Sequence, residues 1–222
     1  MSLEFFFFLP AICFFSRVIS ISLAKRNHLL ESARKENPSF AELNVETWND
    51  FEKLFGEKGA CGGCWCMHWR LKKSEFEKSK GEGNKKKMQA LVKQGVVPGV
   101  LMYIEGKIAG WCSVAPRENF PVLENSRILK HADEEKVWSL VCFFIAKEFR
   151  RGGNSKAFLD FAISYCRKKG VAILEAYPLD VKSNDYPAVF AFTGFFPTFV
   201  KAGFKEVERR SETRPILRLQ LK

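Results

Sequence analysis

The order of apolar and polar positions predicts alternating strands and helices from Phe40 onward. Phe40 to Val45 is read as a short strand, and Thr47 is expected to cap a helix whose apolar residues recur at helical spacing. Lys72 to Lys87 is charged and almost without apolar residues, which indicates a solvated loop or lid. Met88 to Gln94 returns to helical spacing, and Gly95 is expected to end that helix.

A β-hairpin is predicted next. Two β-rich runs, Gly99 to Ile104 and Lys107 to Ala115, are joined by Glu105-Gly106, a dipeptide of turn type. The last elements of the chain are a helix and two strands, at Thr193 to Ala202, Phe204 to Arg209 and Pro215 to Leu221.

Between these regions the chain predicts a strand, a helix and a second strand. Val137 to Ala146 is a buried strand rich in Val, Phe and Ile, and Val171 to Tyr177 is another. Lys156 to Lys169 is an amphipathic helix that stops at Gly170. Two strands joined through a helix in this way are expected to lie parallel in one sheet.

The first 39 residues differ from the rest. Phe5 to Phe15 is an unbroken apolar run, shorter than the roughly twenty residues that a membrane-spanning helix needs. A weaker apolar stretch, with small residues at Ser22 and Ala24, matches a signal-peptide cleavage pattern, but the flank before the run is acidic. A signal, a membrane-surface anchor acting through residues 5–24 and a start-site artefact stay as alternatives for residues 1–39. Residues 40–222 form the predicted domain.

Composition narrows the class of protein. The chain is 46% apolar and 27% charged, which excludes a disordered protein. Seven cysteines in 222 residues are too few for a disulfide-stapled secreted scaffold and favour a reducing, cytoplasmic compartment. The net charge of +11 indicates an anionic partner, which is a nucleic acid, a membrane or a phosphorylated cofactor.

The turn between the buried strand and the amphipathic helix carries the candidate chemistry. Unpaired main-chain N–H groups and the positive end of the helix dipole meet there, which makes an anion site. The pattern R-x-x-G-x-small lacks the Lys-Ser or Lys-Thr pair of a P-loop and the spacing G-x-G-x-x-G. Its residues are Arg150, Arg151, Gly152, Gly153, Asn154 and Ser155.

Taken together, this order of elements resembles the GNAT superfamily of N-acetyltransferases over most of residues 40–222. The resemblance implies a mixed α/β fold: a central mixed sheet, flanked by helices, whose parallel βαβ core binds acetyl-CoA. Five segments are similar to one bacterial-type group of such proteins. They are Cys64-Trp-Cys-Met, Gly110-Trp-Cys-Ser-Val-Ala-Pro-Arg117, Val141-Cys-Phe-Phe144, Glu175-Ala-Tyr-Pro178 and Phe192-Thr-Gly194.

The resemblance also assigns roles to residues. It implies that the main chain of residues 150–155 grips the diphosphate of acetyl-CoA, the co-substrate. It implies that Phe143, Phe144 and Ile145 form a strand edge that pairs with the pantetheine arm. The two parallel strands would separate there, often at a bulge, and cofactor and acceptor would meet in the wedge. Ser155 stands where the family usually has Gly or Ala.

The implied reaction moves an acetyl group directly to an acceptor amine and needs an acid for the departing thiolate. The tyrosine that often serves in the family aligns with Phe199, which has no hydroxyl. Glu175 and Tyr177, two apart on the second strand, should project to one side and are the candidate catalytic residues. The alternatives are a structural role for both, or a thiolate that leaves unassisted, since an ordinary thiol has a pKa of about 8.5.

The cysteine-rich segment allows two interpretations. It has the residue types of a zinc site, but no second paired ligand group occurs in the chain, so no metal is expected. Buried packing, or a wall of the acceptor pocket, is favoured instead. The residues concerned are Cys61, Cys64, Cys66 and His68, with Trp65, Trp69 and Trp111 as the other members of such a wall. Cys142, within a run of Val and Phe, is expected to be inert packing.

Two further functions stay open. Residues 61–100 carry nine Lys or Arg against three Glu, so a basic nucleic-acid-binding module is one alternative, with Lys85, Lys86 and Lys87 on phosphates and exposed tryptophans for stacking. The other is an acyl-CoA-binding protein without turnover, for which Phe199 is the support. The acceptor itself is not identified by the sequence; its pocket is expected near Trp65, the Arg117 loop and Leu179 to Val189.

Overall fold

A single mixed sheet organises the structure. The computed structural model describes residues 37–150, 152–181 and 191–222. In these ranges seven strands pair in the order β1-β2-β3-β4-β5-β7-β6. The strands are β1 Ser39–Glu42, β2 Val100–Ile104, β3 Lys107–Pro116, β4 Trp138–Ile145, β5 Ile173–Ala176, β6 Lys205–Glu208 and β7 Ile216–Gln220. The α-helices are α1 Trp48–Phe55, α2 Lys73–Lys78, α3 Glu82–Lys93, α4 Pro121–Glu124, α5 Asn154–Lys168 and α6 Phe196–Lys201.

The pairing directions confirm the mixed α/β fold. β4 and β5 are parallel and are joined through α5, whereas the other neighbours in the sheet pair antiparallel. The predicted hairpin is β2 and β3. Its turn places Glu105 at φ 51° and Gly106 at φ 71°, the left-handed conformations that a two-residue hairpin turn requires.

The sheet buries apolar side chains on both faces. Val100 and Met102 of β2 belong to a cluster that also contains Phe158 of α5. Leu101, between them, belongs to a second cluster with Phe51 of α1. Because successive side chains of a strand point to opposite faces, α5 and α1 cover opposite faces of the sheet.

The prediction of a loop over Lys72 to Lys87 is wrong, because α2 and the first half of α3 occupy it. Each helix is fixed by few apolar side chains: Phe76 of α2 is 8% exposed and Met88 of α3 is fully buried. The many charges lie on the outer faces. A short charged helix of this kind shows little apolar periodicity in its sequence. Such a helix is stabilised by its packing against the rest of the protein, which the sequence pattern does not reveal.

Thr47 does not cap α1 as predicted. Its hydroxyl donates to the Glu42 carbonyl over 2.8 Å and accepts the Asn44 N–H over 3.0 Å. The Asn44 side chain in turn accepts the Thr47 N–H over 3.0 Å. These bonds close the turn between β1 and α1, and the helix itself begins at Trp48 as its apolar spacing indicated. The last predicted helix is shorter than expected and spans Phe196–Lys201.

The interpretations of the apolar stretches between residues 5 and 24 lie outside the described residues. In the described ranges, no helix combines the length and the apolar character needed to cross a bilayer. Residues 38–222 form a compact unit of their own. The boundary between residues 39 and 40 stays a prediction.

Phe51→Ala should lower the free energy of unfolding by about 3–5 kcal/mol, because it removes a fully buried ring and leaves a cavity. The ring centroid lies 4.1 Å from that of Phe55 and 4.8 Å from that of Trp111. Denaturant titration measures the change. Val45→Ala is the control, since Val45 is 64% exposed and should change stability by less than about 0.5 kcal/mol. Equal effects of the two variants would contradict this account of the core.

Candidate active site

The two parallel strands separate part-way along their length. β4 and β5 pair only from Trp138–Leu174 to Leu140–Ala176, while β4 continues to Ile145. The separation coincides with a bulge: on β3, Ser113 pairs with Cys142 and Val114 with Leu140, so Val141 is the extra residue of β4. The C-terminal half of β4 therefore has a free side toward a wedge between the strands.

Two main-chain N–H groups of β4 point into this wedge. The Ala146 N–H donates to the Ala109 carbonyl over 2.9 Å, toward β3. Because hydrogen-bonding direction alternates along a strand, the N–H groups of Phe143 and Ile145 point to the other side. The Phe143 N–H donates to the Phe192 carbonyl over 2.6 Å. The strand edge predicted to bind pantetheine is thus partly paired with the chain itself.

The segment 191–195 spans the wedge. One end meets β4 through the Phe192 carbonyl, and the Gly194 carbonyl accepts the N–H of Leu179, just beyond β5, over 2.8 Å. Leu179 also forms an isolated parallel bridge with Phe195. This segment therefore lies between the two separated strands.

The predicted anion loop leads directly into α5. Gly152 and Gly153 form the bend before the helix, and Gly153 has φ 81°, a left-handed conformation that favours glycine. Among the described residues, the N–H groups of Gly153, Asn154 and Ser155 donate to no carbonyl. They lie at the positive end of a fifteen-residue helix, which suits an anion. Arg151 lies outside the described residues.

Side-chain contacts hold this loop in place. The Arg150 Nε donates to the Ile145 carbonyl over 2.7 Å, so the loop is tied to the end of β4. The Asn154 Nδ2 donates to the Phe149 carbonyl over 2.8 Å. A Cβ on Gly153 would meet no atom within 4 Å, so the space in front of it is open.

A cavity of about 130 Å³ lies between β4, the start of α5 and α6; we call it the β4–α5 cavity. It brings together residues that the sequence placed in different segments. They are Phe143, Phe144, Ile145, Arg150, Ser155 and Phe199. Phe199 is 1% exposed and packs edge-to-face on Phe204 with a centroid distance of 5.2 Å, so it is an apolar wall. The hydroxyl groups lining the cavity belong to Ser155 and Thr198.

A second cavity, of about 350 Å³, adjoins the first; we call it the cysteine cavity. Phe144 and Phe192 line both cavities. Its other aromatic walls are Phe55, Trp69 and Phe76, and its thiols are Cys61, Cys64, Cys66 and Cys142. Of the residues predicted to form a wall, Trp65 and Trp111 do not line this cavity; they belong to an apolar cluster that also contains Cys66 and Cys142.

Two groups lining the cysteine cavity titrate below their usual range. The protein around the His68 ring removes part of its water, which disfavours the protonated imidazole and lowers the pKa of His68; the charge of Arg214 lowers it further. Burial raises the pKa of Cys66, but interactions with Cys142 and Trp111 and the charge of Arg70 outweigh it and lower that pKa to about 7. Burial instead raises the pKa of Cys64 to about 11. In the described ranges, no three His, Cys, Asp or Glu side chains are grouped closely enough to hold a metal ion.

A model of the acetyltransferase (GNAT) family matches residues 65–195, which include β4, the anion loop, α5 and β5. The chain belongs to the GNAT family. It is an acyltransferase, and acetyl-CoA is its co-substrate. The likeness of the five short segments to one bacterial-type group stays a prediction.

Solved structures are similar to this GNAT chain at low sequence identity, and the first two described here share its fold. A GNAT-family acetyltransferase from Listeria monocytogenes has a TM-score of 0.52 and 12% identity, over 83% of this chain and 95% of that one. Arylalkylamine N-acetyltransferase 2 from Aedes aegypti has a TM-score of 0.52 and 11% identity, over 84% and 100%. PaiA N-acetyltransferase from Thermoplasma acidophilum, solved with coenzyme A, has a TM-score of 0.48 and 14% identity, over 83% and 99%. No curated protein sequence matches the chain.

The candidate catalytic residues of this GNAT protein, Glu175 and Tyr177, lie in a buried network. The Glu175 carboxylate accepts bonds from Arg117 and from Arg218, each over 2.7 Å, and from the Tyr177 hydroxyl over 2.5 Å. The same hydroxyl accepts from Arg117 over 2.6 Å and lies 2.7 Å from the Ser139 hydroxyl. Glu175 and Tyr177 are fully buried, and burial followed by the Glu175 charge raises the pKa of Tyr177 well above its usual value.

This network favours the structural alternative for Glu175 and Tyr177. The two side chains do project to the same side, as predicted, but neither lines the β4–α5 cavity or the cysteine cavity. Each oxygen of the Glu175 carboxylate is already hydrogen-bonded to an arginine. The carboxylate therefore lies between two buried guanidinium groups, which Glu124 and Asp133 also contact, at the point where β5 pairs with β4 and β7. A catalytic role stays a prediction.

The lysines proposed for nucleic acid lie beside carboxylates. Lys85 pairs with Glu52, Lys87 with Glu75 over 2.7 Å, and Lys86 with Glu82 over 4.0 Å. The expectation of exposed tryptophans is wrong for four of them: Trp48, Trp65, Trp69 and Trp111 are at most 8% exposed. Stacking on bases needs open ring faces, so this surface does not favour nucleic-acid binding.

Two functional features were not assigned from the sequence. The sequence predicts His68 as part of a pocket wall, but not its position beside Phe192, where the two ring centroids lie 6.0 Å apart. The Phe192 carbonyl was not expected on the β4 edge. Both depend on contacts between residues about fifty or more positions apart, which spacing along the chain does not show.

Glu175→Gln should lower the free energy of unfolding by about 3–5 kcal/mol, because it removes the buried carboxylate between two buried arginines and leaves them only the partly exposed partners Glu124 and Asp133. Glu124→Gln is the matched control. Glu124 pairs with the same Arg117 but its side chain is 40% exposed, so its loss should cost less than about 1 kcal/mol. Denaturant titration compares the two. Normal stability of Glu175→Gln with a lost rate of acetyl transfer would instead establish the catalytic role.

Proposed function

We propose that this protein is an N-acetyltransferase that transfers the acetyl group of acetyl-CoA directly to the amine of a small acceptor. The observation that carries the proposal is the adjacency of two cavities. One adjoins the free N–H groups at the start of α5, the other has room for a small molecule, and Phe144 and Phe192 are common to both.

In this proposal the diphosphate of acetyl-CoA binds at the start of α5. The N–H groups of Gly153, Asn154 and Ser155 are available as donors, and the helix dipole and Arg150 favour negative charge. Arg151 and Gly152 complete the loop on the strength of the sequence pattern. The pantetheine arm follows Phe143 to Ile145. To pair with the Phe143 N–H, it must displace the Phe192 carbonyl.

The transfer forms a C–N bond and breaks the C–S bond of the thioester and an N–H bond of the amine. The nitrogen of a neutral acceptor amine attacks the thioester carbonyl carbon, a C–N bond forms, and the C–S bond then breaks. The amine loses a proton, and the thiolate of coenzyme A leaves. Phe199 cannot protonate that thiolate, so we propose that it leaves unassisted and takes a proton from solvent, in keeping with an ordinary thiol pKa of about 8.5.

His68 is the group we propose to take the proton of the amine. It lines the cysteine cavity beside Phe192, which also lines the β4–α5 cavity. Its lowered pKa keeps the imidazole neutral at neutral pH, and a neutral imidazole is able to accept a proton.

A non-catalytic acyl-CoA-binding protein is the second candidate function. The observation that favours it is Phe199, which presents a ring without a hydroxyl to the β4–α5 cavity. It predicts that acetyl-CoA binds but releases no free thiol with any amine.

We also propose a reducing, cytoplasmic setting, because the cysteines of the described residues are free thiols. They are Cys61, Cys64, Cys66, Cys112, Cys142 and Cys166.

Gly153→Val should abolish acetyl-CoA binding measured by calorimetry, since the side chain would fill the space in front of the free N–H groups. Gly170→Val is the matched control, because Gly170 follows the other end of α5 with φ 74° and equally open surroundings. Both variants carry similar backbone strain. Unchanged affinity in Gly153→Val, or equal loss in both, would contradict the diphosphate site.

His68→Gln should lower kcat at saturating substrates by about 10²-fold or more, a typical contribution of a general base, without weakening acetyl-CoA binding. In the unaltered protein, kcat should fall as the pH drops through the lowered pKa of His68, because protonation removes the base. That acidic limb should be absent in the variant. A Cys66→Ser variant provides the comparison: if it loses the limb and His68→Gln keeps it, the assignment to His68 is wrong.

A further inference from the structure

We propose that the acceptor is a small monoamine with an aromatic body, bound in the cysteine cavity, and that polyamines and other polycations are excluded. This inference rests on the proposed N-acetyltransferase function and adds the class of acceptor to it.

The walls of the cysteine cavity suit a flat apolar body. Five aromatic side chains line it: Phe55, Trp69, Phe76, Phe144 and Phe192. Its volume of about 350 Å³ is at the lower end of the range of about 300–1,000 Å³ for small-molecule sites. Aromatic rings that meet edge-to-face or offset-stacked attract each other beyond the burial of their surface. A single aromatic ring on a short chain fits both size and surface.

Among the described residues, none gives the cysteine cavity a counter-charge for an ammonium group. No Asp or Glu is among the described residues that line it. The formal positive charge at its edge belongs to Lys80, whose Nζ lies 2.6 Å from the Glu77 carboxylate. Without a carboxylate, burial favours the neutral form of an amine. The neutral form is the one that attacks the thioester, so an apolar cavity prepares a monoamine for reaction.

A second ammonium group on the acceptor would also find no carboxylate among the described lining residues, and it takes no part in the transfer. It would lose its hydration without a partner, which is costly for a charge. The charge outside the cavity adds to this effect. An adjoining cavity, which shares His68 and Phe76, is lined by Lys72 and Lys73 with Glu77 as the one carboxylate. The approach is therefore net positive and repels polycations.

The exposure of the residues that line the cysteine cavity indicates from which side the acceptor enters. Cys61 and Lys80 are exposed and mark the mouth of the cysteine cavity, while His68 lies at the rim beside Phe192, which lines both cavities. Cys66 is 4% exposed and Cys142, on β4, is 9% exposed, so they mark its floor. Phe144 lies two residues beyond Cys142 on β4 and also lines the β4–α5 cavity. An acceptor whose amine enters first reaches the wall that both cavities share.

The test uses a matched pair of acceptors with the full chain. One is 2-phenylethylamine, and the other is the same molecule with a second aminomethyl group in the para position. Release of free thiol from acetyl-CoA gives kcat/KM for each. We expect the monoamine to exceed the diamine by about tenfold or more, because the second ammonium is desolvated without a partner. A ratio of one or less, or faster transfer to spermidine or an aminoglycoside, would overturn the inference.

A carboxylate added to the cavity should reduce this selectivity. Cys61→Asp places one at the exposed mouth, where it does not threaten the fold, and the ratio of monoamine to diamine should fall several-fold. Val45→Asp is the control, because it adds the same charge at an exposed position that lines none of the described cavities. An unchanged ratio in Cys61→Asp, or equal changes in both variants, would contradict the inference.

Calorimetry with acetyl-CoA distinguishes a failure of the proposed N-acetyltransferase function from a failure of the proposed acceptor class. If acetyl-CoA does not bind, the proposed function fails and the inference fails with it. If acetyl-CoA binds and polycations are acetylated in preference to the monoamine, the proposed function stands and only the inference is overturned. If acetyl-CoA binds and no amine releases thiol, the non-catalytic alternative replaces both.

Discussion

The separation of β4 from β5 after the Leu140–Ala176 pair is the constraint from which the candidate site follows. A parallel pair that stayed joined to the end of β4 would use the N–H groups of Phe143 and Ile145 within the sheet. The bulge at Val141 turns the rest of β4 away, so those groups face a wedge. The anion loop follows β4 directly, which places the start of α5 at the open end of the same wedge.

The buried network around Glu175 lies at the base of the wedge, because Glu175 is next to the last pair of β4 and β5. Glu175 is paired with Arg117 from the segment after β3 and with Arg218 from β7. A buried carboxylate between two arginines is costly to break but contributes little net stability over an apolar alternative. The network joins three chain segments, which are the segment after β3, β5 and β7, next to the last paired residues of β4 and β5.

The sequence predicts the elements with strong periodicity and special turn residues. The β2–β3 hairpin, α5 and the parallel β4–β5 pair follow from alternation, amphipathic spacing and the glycines at 106, 153 and 170. Helix α2 and the first half of α3 were missed, whereas the second half of α3 was predicted from Met88 onward; a single buried anchor such as Phe76 in α2 leaves no period to detect. The roles of Glu175 and Tyr177 could not be settled either, since residues two apart share a side whether that side is a cavity or an ion pair. The cysteine cavity needs tertiary contacts between residues 55–80 and β4, and no local pattern contains them.

The hydrogen bond between the Phe143 N–H and the Phe192 carbonyl also bears on how the protein avoids aggregation. A bare strand edge in the middle of a sheet is a template on which another polypeptide pairs, and such edges promote aggregation. Phe192 covers that edge with a segment of the same chain, through one contact of 2.6 Å. The contact thereby protects the chain against intermolecular sheet extension, at the same N–H group that we propose pairs with the pantetheine arm.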